Sequence, residues 1–205
     1  MARMTIRAVV FDVGNVLELS QDNYPFAEWA AGLGLTSEEF TGRMQSAWEG
    51  GDIGTVTLEE VHHKLGEALG LDEAGVGEIM EAMWREYLGT PNTAMIEWAR
   101  GLRPRYKTGI LSNSFVGARE REQAAYGYVD FIDDLLYSHE AGLLKPDPRI
   151  YLLSCERLGV RPDEAIFIDD KEAFTRAARD LGMHAVHFTG DNAKAIAEMT
   201  ALLAR

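Results

Sequence analysis

Polar residues that could do chemistry follow three short apolar runs of the sequence, and a lysine lies between the second and third. They are Asp12, the pair Ser112-Asn113, Lys145 and the pair Asp169-Asp170. Taken singly, most have a common structural explanation, because aspartate often caps a helix and serine and asparagine favour turns. The adjacent carboxylates of Asp169 and Asp170 need a further explanation, because they repel each other unless a cation or hydrogen bonds compensate.

Together these side chains match the requirements of phosphoryl transfer. A hard divalent ion such as Mg²⁺ prefers oxygen ligands and keeps several waters, so two carboxylates and a backbone carbonyl suffice to hold it. Asp12 can serve as a metal ligand and as a nucleophile that forms an aspartyl-phosphate. Ser112 and its neighbouring amides can hold phosphoryl oxygens, while Lys145 neutralises charge on the transferring group. Three carboxylates, one Mg²⁺ and one lysine sum to zero charge, so a phosphate dianion could enter without net repulsion.

The apolar runs predict the strands that position these residues. Each run is short and continuous, the pattern of a strand buried on both faces of a parallel sheet. The runs are Ala8–Phe11, Thr108–Leu111, Asp134–Tyr137, Ala165–Ile168 and Ala185–Phe188, and the helical stretches are Val116–Tyr126, Asp147–Leu158, Glu172–Leu181 and Asn192–Leu203. Their alternation predicts right-handed βαβ crossovers and therefore a doubly wound α/β fold.

Between the first two predicted strands lies a long stretch with helix signals and no run typical of a buried strand. Thr36-Ser-Glu-Glu39 and Thr57-Leu-Glu-Glu60 both fit a capping box, in which a hydroxyl and a carboxylate satisfy unpaired backbone amides. Glu49-Gly-Gly-Asp-Ile-Gly54 interrupts the helices. Thr90-Pro-Asn-Thr93 marks their end, and we expect its proline in the first turn of the next helix.

We therefore expect two units, a helical cap of residues 21–90 and an α/β core of residues 1–20 and 91–205. In open α/β sheets ligands bind at the carboxyl ends of the strands. A cap inserted after the first strand would lie over that site as a lid that excludes water and selects the substrate.

Charge and composition limit the partners. The sequence of 205 residues has 33 acidic and 20 basic residues, which give a net charge of −13 and disfavour unaided binding to nucleic acid or an anionic membrane. No apolar stretch approaches the about 18 residues of a membrane span. The single cysteine, Cys155, excludes an intrachain disulfide and suits a reducing compartment. We expect a cytoplasmic monomer or homodimer whose partner is a small molecule.

Four segments in order resemble the motifs of the haloacid dehalogenase-like hydrolase superfamily. They are Phe11-Asp-Val-Gly-Asn-Val-Leu17, Leu111-Ser-Asn113, Gly142-Leu-Leu-Lys-Pro-Asp-Pro-Arg-Ile-Tyr151 and Phe167-Ile-Asp-Asp170. The resemblance covers nearly the whole chain, and the helical insert resembles the first-position cap of that family. It implies a Rossmann-like core and, in most members, Mg²⁺-dependent phosphatase chemistry through an aspartyl-phosphate.

Carried over by position, the resemblance assigns a role to each polar residue. It implies that Asp12 is the nucleophile and a metal ligand, and that Lys145 stabilises charge. Ser112 matches the hydroxyl that binds phosphate, with Asn113 beside it. The remaining metal ligands are Asp169, Asp170 and the backbone carbonyl of Gly14. Of the two adjacent acids, Asp170 is expected to contact the ion, and Asp169 to act through water or by orienting Lys145.

Gly14 is also the main departure from the family pattern. Most phosphatases of the family have an aspartate there, which protonates the leaving oxygen and later activates water, help that is typically worth about 10²–10⁴-fold in rate. One branch of the family has the sequence Asp-x-Gly-Asn at this place, as this chain does from Asp12 to Asn15. That branch resembles sugar-phosphate phosphatases. The candidates for a replacement acid are Glu18, Asp22, Asp52, His62 and His63, each also compatible with a solvated surface position.

Three further residues bear on specificity and packing. In the region where such caps present specificity residues, Trp48 and Asp52 are the predicted substrate contacts, although Trp48 equally fits the core of the bundle. Relatives often have an asparagine four residues after the second acid, where this chain has Phe174, which we interpret as a core residue.

Three functions stay open on the sequence alone. The leading one is a phosphatase for a small phosphorylated metabolite, with sugar phosphates among the candidates. The second is a non-catalytic protein of the same fold that binds a phosphate ligand or has a regulatory role. The third is a 2-haloacid dehalogenase, which the pair Asp169-Asp170 disfavours because metal-free attack on carbon has little use for two adjacent acids.

Overall fold

The computed structural model describes residues 5–20 and 26–204, and its central element is a five-stranded parallel sheet. The strands of the chain are β1 (Ala8–Phe11), β2 (Glu18–Leu19), β3 (Thr90–Pro91), β4 (Lys107–Ser112), β5 (Asp134–Tyr137), β6 (Ala165–Asp169) and β7 (His184–His187). The order in the sheet is β5-β4-β1-β6-β7, with every neighbouring pair parallel. The chain order reverses at β1, so the carboxyl ends of β1, β4 and β6 lie side by side. The predicted α/β fold is confirmed.

Helices cover both faces of this sheet and form the insertion. They are α1 (Phe26–Gly32), α2 (Ser37–Trp48), α3 (Leu58–Leu69), α4 (Glu73–Leu88), α5 (Thr93–Arg100), α6 (Ala118–Tyr126), α7 (Ser138–Ala141), α8 (Pro148–Leu158), α9 (Glu172–Asp180) and α10 (Asn192–Leu203). Within residues 5–20 and 26–204, no helix combines the length and the apolar character that crossing a membrane would require.

Alternation along β1 explains the three layers of the core. Val9 and Phe11 point to a cluster that includes residues of α5 and α10. Ala8 and Val10 point to the opposite face, where the cluster includes residues of α8 and α9. Successive side chains of a strand point to opposite faces, so a strand covered on both sides must be apolar throughout, as β1 is.

The helices α1–α4 pack around an apolar cluster of their own, which confirms the helical insertion. Both predicted capping boxes are present: Thr36 and Thr57 each accept a hydrogen bond from the backbone N–H three residues on. Glu39 and Glu60 return the contact by accepting from the backbone N–H of the threonine. These bonds satisfy amides that the first turn of a helix otherwise leaves unpaired.

A two-stranded antiparallel ladder forms the root of the cap, where β2 leaves the core and β3 returns to it. The prediction that Pro91 starts a helix is wrong, because Pro91 pairs with Glu18 in this ladder and Asn92 caps α5 instead. A proline has no N–H to donate, and a two-residue edge strand tolerates it. The division of the chain into 1–20, 21–90 and 91–205 stays a prediction, and Asp22 lies outside the described residues.

Candidate active site

Two adjacent strands bring the predicted acids together at the carboxyl edge of the sheet. Asp12 follows β1, and Asp169 ends β6 with Asp170 after it. The backbone N–H of Asp12 donates to the carbonyl of Ile168 at 2.9 Å, which holds the two strand ends in register. Carboxylate oxygens of the three aspartates lie within 4.8 Å of one another. Groups separated by more than 150 positions in the sequence therefore form one cluster.

The ammonium group of Lys145 is buried between two of these carboxylates. Its Nζ lies 2.8 Å from Asp12 Oδ1 and 2.6 Å from Asp169 Oδ2. Burial alone would lower the pKa of Lys145, but the two carboxylates raise it above its ordinary value. The lysine is therefore positively charged and partly offsets the negative charge of the cluster.

Asn113 braces Lys145 through the backbone. Its Nδ2 donates to the carbonyl of Lys145 at 3.0 Å, and its Oδ1 accepts from the N–H of Lys145 at 2.8 Å. Both ends of the amide are thus engaged, and the second N–H of Nδ2 and the backbone N–H of Asn113 are the groups left for the predicted contact with phosphate. Ser112, the last residue of β4, is buried and lines the same cavity as Asp12, as the predicted phosphate contact requires.

The two adjacent acids have different surroundings. Asp169 is fully buried, and its oxygens accept from the Lys145 ammonium and from the backbone N–H of Lys171 at 2.8 Å. Asp170 is half-buried, and from the described residues its carboxyl group accepts one longer hydrogen bond, 3.3 Å, from the side chain of Asn15. Asp170 is thus free to bind an ion, and Asp169 is placed to orient Lys145, the arrangement that the resemblance implies.

The carboxyl group of Asp12 shows that the cluster is suited to a cation. Burial raises its pKa to about 7, with Lys145 lowering it and Asp169 raising it again. A divalent ion among three carboxylate groups would remove the repulsion and favour the ionised form of Asp12. The oxygen-only donor set is the one that Mg²⁺ prefers, so the residues fit that ion.

A cavity of about 320 Å³ opens over these groups. Its lining includes the predicted residues Asp12, Gly14, Ser112, Asn113, Lys145 and Asp170. The remaining wall is formed by Asn15, Glu18, Ser20, Tyr87, Phe115, Lys171 and Phe174. Phe174 is half-buried and its ring lies 5.2 Å from Lys145 Nζ, so it faces the site as well as packing against the core.

Trp48 and Asp52, the predicted substrate contacts, line a neighbouring cavity of about 560 Å³. Phe115 lines both cavities, and its ring lies 5.4 Å from the ring of Trp48. The side chains of Trp48 and Asp52 therefore lie beyond Phe115 from the carboxylates, and their contact with substrate stays a prediction.

Among the candidates for a replacement acid that the structure describes, Glu18 alone lines the cavity over Asp12. His62 and His63 lie against a separate cavity within the cap. Burial, reinforced by the charge of Glu122, raises the pKa of Glu18 to about 9. Tyr87 and Phe115, which the sequence analysis missed, carry no signal that distinguishes them from core aromatics.

The loop of the cap between α2 and α3 is attached to the core. Ser138 Oγ donates to the carbonyl of Asp52 at 2.8 Å, and the N–H of Val116 donates to the carbonyl of Gly51 at 3.0 Å. Gly54 lies so close to the core that a Cβ atom there would be 1.8 Å from the carbonyl oxygen of His139. The cap is therefore docked over the carboxyl edge of the sheet.

Comparison with known proteins gives one family. A family model described as haloacid dehalogenase-like hydrolase matches residues 6–182. Phosphatase MT3486 of Mycobacterium tuberculosis is 31% identical over 192 residues, which cover 89% of this chain and 87% of that protein. The D-ribitol-5-phosphate phosphatase of Bacteroides thetaiotaomicron is 26% identical over 189 residues, covering 86% of this chain and 89% of that protein. The chain spans 36% of the length of another relative, the bifunctional epoxide hydrolase 2 of Mus musculus.

A solved structure shares the fold. A HAD family enzyme of Bacteroides thetaiotaomicron, in complex with magnesium and inorganic phosphate, superposes with a TM-score of 0.71. The alignment covers 90% of this chain and 95% of that one at 21% identity. At this identity the likeness concerns the architecture, a parallel sheet with a helical insertion.

Proposed function

Because this chain belongs to the haloacid dehalogenase-like hydrolase family, we propose that it is a Mg²⁺-dependent phosphatase that acts on a small phosphorylated metabolite. The observation that carries the proposal is the convergence of Asp12, Asp169 and Asp170 within 4.8 Å, beside the buried ammonium of Lys145. A cluster of three acids and one base is neutral only when a divalent cation joins it, and it can then accept a phosphate dianion.

The residues divide the chemistry between them. A carboxylate oxygen of Asp12 attacks phosphorus, the bond from phosphorus to the alcohol oxygen breaks, and that oxygen takes up a proton. Water then attacks the aspartyl-phosphate, which releases inorganic phosphate and restores the carboxylate. Lys145 and the hydroxyl of Ser112 hold the phosphoryl oxygens during both steps. Asp12, Asp170 and the carbonyl of Gly14 would hold Mg²⁺, which supplies positive charge to the transferring group.

A sugar or polyol phosphate is the substrate class that we infer. The relative from Bacteroides is named for D-ribitol 5-phosphate, and a glyceraldehyde 3-phosphate phosphatase of Methanopyrus kandleri is 29% identical over 79 residues. A cavity of about 320 Å³ suits a compact substrate rather than a macromolecule. The buried, unpaired Cys155 supports a reducing compartment such as the cytoplasm.

The test is phosphate release from p-nitrophenyl phosphate and from a panel of metabolite phosphates in the presence of Mg²⁺. We expect activity that EDTA abolishes and that Asp12→Asn lowers by about 10³-fold or more, because the nucleophile is lost. Asp163→Asn, at an exposed aspartate paired with Arg161, is the matched control and should keep full activity.

Two other results would replace the proposal. Metal-independent chloride release from 2-chloropropionate would identify a dehalogenase. If no phosphate is hydrolysed across the panel while a phosphate analogue raises the melting temperature, the protein binds phosphate without turning it over.

A further inference from the structure

We propose that Glu18 determines specificity by hydrogen-bonding a hydroxyl group on the organic portion of the substrate. The inference rests on the proposed function and narrows its substrate class. Phosphates that carry a free hydroxyl near the phosphoester would be preferred over alkyl phosphates of the same length.

The first observation is the position of Glu18. It lies in β2, six residues after the nucleophile, and lines the same cavity as Asp12 and Ser112. Its backbone N–H donates to the carbonyl of Val13 at 3.1 Å, and its residue pairs with Pro91 in the ladder at the root of the cap. The side chain is thus carried by an ordered backbone at the cavity wall, on the core side of the cap.

The second observation is an oxygen without a partner. Glu18 is 3% exposed, and its carboxyl group lies beside the hydroxyl of Tyr126, which donates its hydrogen to the carbonyl of Leu88. Its Oε2 is buried and has no hydrogen-bond partner among the described residues. Buried polar atoms are nearly always paired in folded proteins, so an unpaired one in a residue that lines a cavity is a candidate partner for a group of the ligand.

Glu122 provides the contrast that separates recognition from packing. It is as deeply buried as Glu18 and belongs to the same group of carboxyl and phenol side chains. Its oxygens accept hydrogen bonds from Tyr87 at 2.9 Å and from Tyr137 at 2.6 Å, and it does not line the cavity. The carboxyl group away from the cavity is satisfied within the protein, whereas the one on its wall is not.

The chemistry of the wall selects the ligand group. Because burial raises its pKa to about 9, the Glu18 carboxyl group is protonated at neutral pH and can both donate and accept a hydrogen bond. A hydroxyl group on the organic portion of the substrate also donates and accepts, so it can pair with either oxygen, whereas a phosphate dianion only accepts. An ammonium group would also donate, but Lys171 lines the cavity and Lys145 lies at its base, and both repel a cation. Tyr87 and Phe115 add aromatic surface suited to the C–H groups of a carbohydrate. A hydroxyl of a polyol or sugar fits this wall.

The test compares matched substrates by steady-state kinetics with Mg²⁺. The pairs are polyol phosphates of three to six carbons and the alkyl phosphates of equal length, with 3-aminopropyl phosphate as the amine. We expect the wild type to prefer the hydroxylated member by about 10-fold or more in kcat/KM. Glu18→Met, which keeps the volume but not the oxygen atoms, should abolish that preference.

Two further variants distinguish recognition from stability. Tyr126→Phe removes the hydroxyl beside Glu18 and leaves Oε2 in place, so it should keep the preference for hydroxylated substrates. If Glu18→Met does not fold, Glu18→Leu serves instead, and the preference should likewise be lost because leucine has no oxygen atom to pair with the substrate hydroxyl.

Each of the remaining outcomes overturns one part of the proposal. Equal turnover of both members by the wild type and by the Glu18 variant overturns the inference and leaves the phosphatase intact. An equal loss on both members overturns it in favour of a structural role, and a preference for the amine overturns the assignment to a hydroxyl. If no phosphate is hydrolysed by the wild type, the proposed function fails and this inference fails with it.

Discussion

Gly14 lies on the wall of the cavity over Asp12, with open space where a side chain would begin. A Cβ atom built there meets no atom within 4 Å, and the backbone is outside the left-handed region that favours glycine. Packing therefore does not require glycine at this position, where most phosphatases of the family have an aspartate. The missing acid is a chemical difference that one substitution can reverse.

Gly14→Asp should introduce a proton donor at the position where most phosphatases of the family have one. We expect it to raise kcat for an alkyl phosphate, whose leaving alkoxide needs a proton, by about 10-fold or more. The rate for p-nitrophenyl phosphate should change little, because nitrophenolate leaves without protonation. Gly14→Asn, with equal size and no acidic proton, is the control. Equal effects of the two variants on the alkyl phosphate would contradict the prediction.

At the scale of elements, the contact between the loop after α2 and the loop region around α7 holds the cap over the core. Gly54 has φ of +69°, and its close approach to the carbonyl of His139 leaves no room for a side chain. The bond from Ser138 to the carbonyl of Asp52 lies beside it. The lid thus depends on a residue without a Cβ atom.

Gly54→Ala should separate this loop from the core. We expect kcat/KM for the preferred phosphate to fall about 10-fold or more, because a loosely docked lid admits water and misplaces the substrate. Gly70→Ala is the control: φ is also +69°, but a Cβ atom there meets nothing within 4 Å. It carries the same backbone strain without the clash. An equal loss of activity in both variants would attribute the effect to strain alone.

The buried carboxyl of Glu122 joins three elements, because α6 carries it and its hydrogen bonds come from Tyr87 of α4 and Tyr137 of β5. Burial raises its pKa from 4.5 to about 7, although hydrogen bonds from both tyrosines lower it. Folding therefore favours the protonated form. The stability that this group contributes is full below its unfolded pKa and is lost as pH rises through about 7.

Glu122→Gln should flatten the pH dependence of stability. Between pH 5 and pH 8, the free energy of unfolding of the metal-free wild type should fall by about 2–3 kcal/mol more than that of the variant. Urea denaturation at the two pH values measures the difference. Glu120→Gln, at an exposed position of the same helix, should leave the wild-type dependence unchanged. A wild-type slope retained in Glu122→Gln would assign the effect to other groups.

At the scale of the whole molecule, the net charge is −13, but the strongest repulsion between carboxylates is concentrated at one site. Three of the acids lie within 4.8 Å of one another, and Lys145 is the cation paired with them. Unfolding separates these groups, so the native state alone presents the cluster to a divalent ion. Binding of Mg²⁺ should therefore stabilise the fold by linkage.

We expect saturating Mg²⁺ to raise the melting temperature, because at 100 times the dissociation constant the linkage is worth about 2.7 kcal/mol. Asp170→Asn should remove most of this shift, since it weakens the acid that is free to bind the ion. Asp163→Asn, which removes an equal charge from the exposed surface, is the control. A thermal shift retained in Asp170→Asn would place the ion elsewhere.

Much of the fold follows from local patterns. The continuous apolar runs locate all five strands of the main sheet within one or two residues, and both capping boxes locate helix starts. Such signals are local because burial on two faces and amide satisfaction involve residues near in sequence. The positions of Asp12 and Asp169 follow in turn, since parallel strands end at one edge and polar residues at those ends must meet there.

Local sequence patterns do not predict which residues line the cavity. Glu18 lines the cavity over the carboxylates, whereas Trp48 and Asp52 lie against the neighbouring one. That outcome depends on how the cap docks, through contacts such as the one from Ser138 to Asp52, 86 positions apart. The sequence by itself thus determined the strands, the cap and the acidic cluster. Only the tertiary structure decided which side chains face the substrate, because long-range packing sets the cap against the core.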